Sequence, residues 1–438
     1  MIPEEILVFI SKVFKVVWVF IKTWWWVLPP FLLWRPFLFF YLQWRQKIWT
    51  QKQEYQMLEI KMPREVTRPF RAMEQVFASW WMLYDPPDWW EKWIEGKYQL
   101  SMFIEIVSLG GEIHFYLYAP KAVRNLLESS LYAQYPDAEI IEAQDYTELV
   151  PPDIPNEEWD LWGCDYEVTK PDVYPIKTYP KFFEESAGLK EEKRIDPLAS
   201  LLEGMSKLKP GENAWVQIKL EPVTNGDNDF KDRAQKIVNK FLKRPSPSKI
   251  KFPPIIKEAF ELLVYGKMPE GPKIEKEEHL IPPEMQLSPG EREVVAAIEH
   301  KISKPMFQCW IRFVIMGKKG IFYKPNLKNI LGFFANFNTE NLNGLKPWGK
   351  SITKVKKYEH GFLNIFFYDS LLYLKKRRIF KRYKQRMPLF YPRPGKEFIF
   401  NTEELATLFH CIGREAVPAP EVQRIESKKS EPPPNLPT

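Results

Sequence analysis

Hydrophobic positions change period several times along this chain, and each change marks an element. From Tyr55, the apolar residues Leu58, Ile60 and Met62 alternate with Glu59 and Lys61, the period of a half-buried strand. Phe70, Met73, Phe77, Trp80 and Tyr84 follow at spacings of three and four, which predicts an amphipathic helix. Met102, Ile104 and Ile106 alternate again. Gly110-Gly111 supplies the positive φ of a hairpin turn before the return strand of Ile113, Phe115, Leu117 and Ala119. Val123, Leu127, Leu131 and Tyr135 predict a second helix, and Glu139 to Glu142 a short last strand. The order βαββαβ over residues 53–147 is the split, ferredoxin-like arrangement.

Residues 148–195 read as a connection rich in proline and acid. A second, more irregular α/β domain with a helical insertion follows over 196–343. Its predicted elements are a helix over 196–208, a strand over 214–220, a helix over 230–242, a Pro- and Lys-rich excursion through Pro283, a helix over 288–304, a strand over 306–316 and a helix over 327–337. Glu291 stands at capping-box spacing from Ser288. The sequence of helices and strands suggests an inserted copy of the first fold, although no sequence repeat accompanies it.

The first 52 residues differ from everything after them. Trp18, Trp24, Trp25, Trp26, Trp34, Trp44 and Trp49 lie among runs of Val, Ile, Leu and Phe, and Trp favours the membrane–water boundary. Ile6 to Leu28 is long enough to span a bilayer, but Lys12, Lys15 and Lys22 interrupt it. Their insertion cost of up to ~9 kcal/mol is close to what fifteen strongly apolar residues return at ~0.5 kcal/mol each. The lysines form one stripe, suited to headgroups or to a partner helix. Pro29-Pro30 breaks the pattern, and Phe31 to Leu42 is too short to span alone. No small-residue cleavage site follows. Glu4 and Glu5 before the stretch, with Arg45, Lys47 and Lys52 after it, place the body on the cytoplasmic side of the cell membrane. The expected fold class is therefore α+β: an N-terminal membrane helix region, the ferredoxin-like domain and the second α/β domain.

Three cysteines, Cys164, Cys309 and Cys411, are odd in number and far apart, which suggests no disulfide framework and agrees with a reducing compartment. The five histidines show no metal-ligand spacing, and no metal, cofactor or catalytic grouping is expected. A short capped helix is predicted in 395–417, where Asn401 and Glu404 have capping-box spacing. The Pro-rich stretch 418–438 reads as a disordered linker.

Gly344 to Ser351 matches the phosphate-loop pattern G-x-x-x-x-G-K-[ST], in which backbone N–H groups, a lysine and a hydroxyl hold phosphates and magnesium. Its context argues against that chemistry. The loop follows the polar stretch 338–343, Pro347 removes an N–H, and residues after Ser351 show no core-facing helical stripe. A nucleotide-binding enzyme using Gly349, Lys350 and Ser351 stays as an alternative.

Over 344–388 the chain has 13 Lys or Arg against Glu359 and Asp369, a net of +11, while the whole protein is +7 and the remainder therefore −4. The basic segment, 344–394, is densest at Lys375, Lys376, Arg377, Arg378, Lys381, Arg382, Lys384 and Arg386, interleaved with Phe380 and Tyr383. Such a cluster suits phosphates of nucleic acid or of anionic lipid. A peripheral anionic-lipid-binding protein is a second alternative. His114, Tyr116 and Tyr118 on one strand face could stack RNA bases. Between Tyr55 and Tyr146, however, 8 basic residues meet 14 acidic ones, and that surface favours packing against protein.

Several phrases resemble an uncharacterised bacterial membrane-anchored family: LEIKMPRE at 58–65, AMEQVFA at 72–78, EIVSLGGEIHFY at 105–116, YAQYPDAE at 132–139 and FNTEELATLFH at 400–410. In that family the region stands before an ATPase domain of the HerA/FtsK type, as in type IV secretion and conjugation DNA-transfer motors. The resemblance covers most of the chain beyond the tether. It implies a membrane-proximal accessory region without its own engine, since the sequence stops at Thr438, where the family's nucleotide-binding domain would begin. The expectation is a non-enzymatic scaffold of a DNA-translocation apparatus. Its partners would be membrane lipids, a motor ATPase in a separate chain, DNA, and a larger assembly.

Overall fold

The computed structural model of the protein describes residues 15, 18–19, 22–24, 28–63, 70–182, 196–242, 287–323, 325–355, 367–386, 397–412 and 424–425. The chain forms two compact units, Met1–Tyr55 with Asp85–Leu100, and Gln56–Tyr84 with Ser101–Thr438.

In the first unit helix α1 (Leu28–Gln51) carries Pro29-Pro30 in its opening turn and continues past Pro36. Proline is tolerated in an opening turn because its missing N–H would be unbonded there anyway. The sequence reading took Phe31–Leu42 as a short separate stretch, whereas the structure makes the proline pair the start of a 24-residue helix. Among the described residues no helix is long and apolar enough to cross a membrane. The stretch Ile6–Leu28, long enough to span or to lie in the headgroups, falls mostly outside the described residues. Asp85–Leu100 folds back on α1. The Trp49 and Tyr98 rings meet edge-on at 5.2 Å, the Thr50 and Tyr98 hydroxyls lie 3.0 Å apart, and the Arg45 guanidinium donates to the Ile94 carbonyl. Gly96, at φ +81°, passes so close to the Arg45 backbone that a Cβ would collide with it.

The second unit carries one ten-stranded sheet. β1 (Tyr55–Pro63), α2 (Phe70–Trp80), β2 (Met102–Leu109), β3 (Glu112–Pro120), α3 (Arg124–Gln134) and β4 (Glu139–Glu142) realise the predicted βαββαβ order. Their strands run β4-β1-β3-β2. The hairpin turns on Gly110 and Gly111, at φ +63° and +105°. The chain continues through β5 (Trp159–Val168), α4 (Ala199–Ser206), β6 (Glu212–Val223), α5 (Phe230–Phe241), α6 (Pro289–Ile302), β7 (Met306–Lys318), α7 (Asn326–Ala335) and β8 (Leu345–Pro347). These strands run β8-β5-β7-β6, all pairs antiparallel. Both halves therefore have the same order: fourth, first, third, second. They join edge to edge where β2 pairs antiparallel with β6, from Met102 opposite Leu220 to Leu109 opposite Asn213.

The second α/β region is thus a copy of the first topology, with α5 and α6 inserted between its second and third strands. Its first strand, β5, lies inside what the sequence reading took as the 148–195 connection. The predicted capping box at Ser288 and Glu291 is present at the start of α6. The excursion between α5 and α6 lies largely outside the described residues.

Three further elements complete the sheet and its cover: α8 (Tyr368–Lys384), β9 (Phe398–Asn401) and α9 (Thr402–Leu408). β9 pairs with the start of β7. Asn401 and Glu404 form the expected capping box. Of the segment read as a disordered tail, Arg424–Ile425 is described, as β10, parallel to Met62–Pro63; the rest of 418–438 is outside the described residues.

Strand alternation sorts the side chains into two faces. Ile104, Ile106, Phe115, Val216, Ile218, Ile311 and Phe313 point to one face, where Val76, Phe77, Leu131, Leu202, Phe333 and Leu405 of the helices cover them. Each such side chain contributes about 1.5–3 kcal/mol when fully buried. The other face places Val107, Tyr116, Trp215 and Val314 under Ile379, Phe380 and Tyr383 of α8. A charged pair is enclosed as well: Lys301 Nζ lies 3.0 Å from Glu404, both side chains being 0% exposed.

Candidate phosphate-contact helix

Helix α8 carries seven of the eight basic residues singled out in the sequence, and Arg386 follows it directly. Its inner face is set by Ile379, Phe380 and Tyr383, at the spacing of one helical stripe. Tyr383 packs on Trp215 with ring centroids 5.3 Å apart, and its hydroxyl lies 2.8 Å from that of Tyr146. Lys376 forms an ion pair with Asp160 on β5.

Two residues past the last helical position, Arg386 adopts a left-handed φ of +51°. That conformation costs a non-glycine residue about 1–3 kcal/mol and persists where surroundings fix it. Here the guanidinium makes two hydrogen bonds to Glu105, 3.0 and 3.2 Å, and two to Asp145, 2.7 and 3.2 Å. It also lies 3.9 Å from the centroid of the Tyr118 ring. Glu105 further accepts from the Tyr146 hydroxyl at 2.8 Å and from Gln217 Nε2 at 2.6 Å. Burial opposes ionisation of Asp145, but its hydrogen bonds to Arg386 prevail and hold the carboxyl below its ordinary range. Burial pushes the hydroxyls of Tyr146 and Tyr383 well up, which keeps both as neutral donors.

The eight cations therefore divide by role. Arg386 is 7% exposed and Lys376 is held by Asp160, so both anchor the helix from within. Lys375 donates to the Lys354 carbonyl at 3.1 Å; Lys384 sits 5.8 Å from the Phe380 ring. Arg382 is half-buried, and burial with Arg312 and Arg378 nearby lowers its basicity. Arg377, Arg378 and Lys381 are exposed and form the outward edge. The sequence reading missed the anchoring acids. Glu105 had a visible signal: a carboxylate between Ile104 and Ile106, on a strand face that nothing local required to be buried.

The phosphate-loop-like stretch has a structural use instead. β8 lies within it as an edge strand, and Trp348 N donates to the Asp165 carbonyl at 2.7 Å. The Ser351 hydroxyl accepts from Asp165 N at 2.8 Å and donates to the Trp348 carbonyl at 3.0 Å. Gly344 N donates to Asn343 and Leu345 N to Asn338. The N–H groups of Gly344, Leu345, Trp348 and Ser351 are thus bonded within the protein, and a turn at 349–351, not a helix, follows.

His114, Tyr116 and Tyr118 lie on the face α8 covers. His114 pairs with Glu59 at 2.7 Å, Tyr116 stacks on Tyr146 at 5.0 Å, and Tyr118 lies under Arg386. Among the described residues no group of three His, Cys, Asp or Glu could hold a metal ion. All three cysteines are free and buried, and burial pushes the Cys411 thiol up to about 12. A cleft of about 640 Å³ is lined by residues of α2, α6 and α9. Carboxylates pair with two of its lysines: Lys304 with Glu74 at 2.7 Å, and Lys181 with Glu293.

Residues 91–349, more than half of the chain, match the family described as "Domain of unknown function (DUF8128)". The match runs from Glu91, within the Asp85–Leu100 segment of the first unit, to the turn after β8, so α8, β9 and α9 lie beyond it. No curated protein matches this sequence.

Proposed function

The chain belongs to that family of unknown function, and we propose that it is a membrane-anchored, non-enzymatic scaffold that presents a basic helix edge to phosphates. In this reading the two ferredoxin-like halves of the second unit, fused through one sheet, form a base, and the Trp-rich first unit holds the chain at the cytoplasmic side of the membrane. The exposed edge of Arg377, Arg378 and Lys381 contacts DNA, and a separate motor ATPase of the HerA/FtsK type docks on the body. The resemblance of 58–65, 105–116 and 400–410 to regions preceding such motors supports the setting.

One observation carries the reading. Helix α8 is fastened at its inner face by Tyr383, Lys376 and Arg386, so its outer cations are held in fixed array and not on a free tail. Cations carried on a fastened helix have less backbone freedom to lose when they meet a phosphate row. Fluorescence anisotropy of a duplex DNA with the full chain tests this. Arg377→Gln, Arg378→Gln and Lys381→Gln together should weaken binding at least tenfold with the fold intact. Equal affinity for wild type and variant would defeat the proposal.

A second reading has its own support. Tyr373 and Leu374, 40% and 52% exposed, precede these cations by one turn of the helix, a mixture that suits an anionic lipid surface. Sedimentation with phosphatidylserine-containing vesicles, compared with the DNA titration, separates the two. Vesicle binding that depends on the three cations, without DNA binding, would select the lipid.

A further inference from the structure

Between α2 and β2 the chain leaves the sheet for sixteen residues, Asp85–Leu100, and joins the first unit. This detour is longer than the connection requires, and it places Trp89 and Trp90 at 69% and 58% exposure. They sit just before a single π-helical turn, Glu91–Glu95. That turn is held from inside the unit. Lys97 binds Glu91 at 2.9 Å and Asp85 at 3.1 Å, Asp88 and Glu91 exchange backbone-to-carboxylate bonds, and Arg45 of α1 reaches the Ile94 carbonyl.

Helix α1 adds a stripe of its own. Leu33, Phe37, Phe40 and Trp44 are 57%, 58%, 64% and 56% exposed at spacings of four, three and four, one continuous helical face. Trp34 borders it at 58%. From Leu33 to Trp44 the stripe is about 17 Å long, too short for a hydrocarbon core of about 30 Å. Exposed apolar surface of this extent on one element marks an interaction site.

We infer that Trp89 and Trp90 form a second membrane contact, a wedge that enters the bilayer interface alongside α1, which lies in the interfacial plane. The inference rests on the membrane placement proposed above and deepens it. The occupant is a lipid interface because of composition. Trp is the residue whose ring and N–H suit the boundary of apolar and wet layers. Four of the exposed residues here are Trp: Trp34, Trp44, Trp89 and Trp90. The charges next to the wedge belong to the headgroup level. Asp85, Asp88, Glu91 and Glu95 outnumber Lys92 and Lys97, so attraction to anionic lipid is not what draws this segment in. The contact is apolar, works on neutral lipid and withstands salt, in contrast to the basic edge of α8.

The three native cysteines are buried, so a full-length Trp89→Cys protein can be labelled there selectively with an environment-sensitive fluorophore. Phosphatidylcholine vesicles are the probe, with flotation of the same sample read alongside. The expected result is a blue-shifted emission on vesicles, quenched by nitroxide on the lipid acyl chains and unchanged by 0.5 M salt, because salt screens charges and leaves an apolar contact intact. Protein that floats while its label stays water-exposed would overturn the wedge and leave the membrane placement standing. Protein that does not float would overturn both. A label at Trp90→Cys must give the same answer, which guards against a local disturbance at one position.

Discussion

Arg386 grips the Glu105 carboxylate with two hydrogen bonds, 3.0 and 3.2 Å long, across 281 positions of sequence. The pair ties the end of α8 to the second strand of the first half, beside the seam with the second half. Removing one partner leaves a buried charge uncompensated, which costs about 3–5 kcal/mol. Arg386→Ala is expected to lower stability by that amount in urea unfolding. Arg386→Lys should recover only part of it, because an ammonium cannot make the forked contact.

Acid should loosen the same latch. Asp145 has a depressed folded-state value, so its contribution is present above the ordinary aspartate value of about 3.9 and is lost as pH falls through the folded value. Asp196 follows the same sign, since burial opposes its ionisation but His410 at 3.0 Å outweighs it. Unfolding midpoints measured from pH 7 down to pH 3 should therefore fall. Asp145→Asn should start lower and decline less steeply without becoming flat.

Ser351 and Lys350 are expected to exchange the importance a phosphate loop would give them. Ser351→Ala removes the acceptor of Asp165 N and should cost about 1–2 kcal/mol in stability. Lys350→Ala should change neither stability nor the response to a fluorescent ATP analogue. Saturable analogue binding that disappears in Lys350→Ala would contradict this assignment.

Gly111→Ala tests the hairpin at the seam. At φ +105° a Cβ would lie 2.8 Å from the Leu208 carbonyl oxygen, and the backbone cannot yield without moving the end of α4. A loss of about 2 kcal/mol is expected from strain at this conformation, read as a lower thermal midpoint.

The first half was legible because each strand keeps one apolar and one polar-looking face, and Gly110-Gly111 marks the turn between β2 and β3. The second half was less so. β5, Trp159 to Val168, sits in a run of Pro and acid, with Asp160, Asp165 and Glu167 along it. Those charges are answered by partners far away in sequence: Lys376 for Asp160, Arg312 at 2.7 Å for Asp165. The repeat of topology leaves no repeat of sequence, because strand order is set by pairing at the seam and many side chains satisfy each position. In the basic segment, composition alone could not separate Arg386, an internal anchor, from Arg378, an outward cation. Pro29-Pro30 likewise reads as a break and serves as a helix start.

The salt dependence of DNA affinity tests the central claim most directly, because it counts the phosphates a protein neutralises. The account predicts that neutralising Arg377, Arg378 and Lys381 reduces the slope of log K against log salt by about 2.7, three contacts at ~0.9 each. An unchanged slope in the triple variant would mean that the edge of α8 meets no phosphate row, and would contradict it.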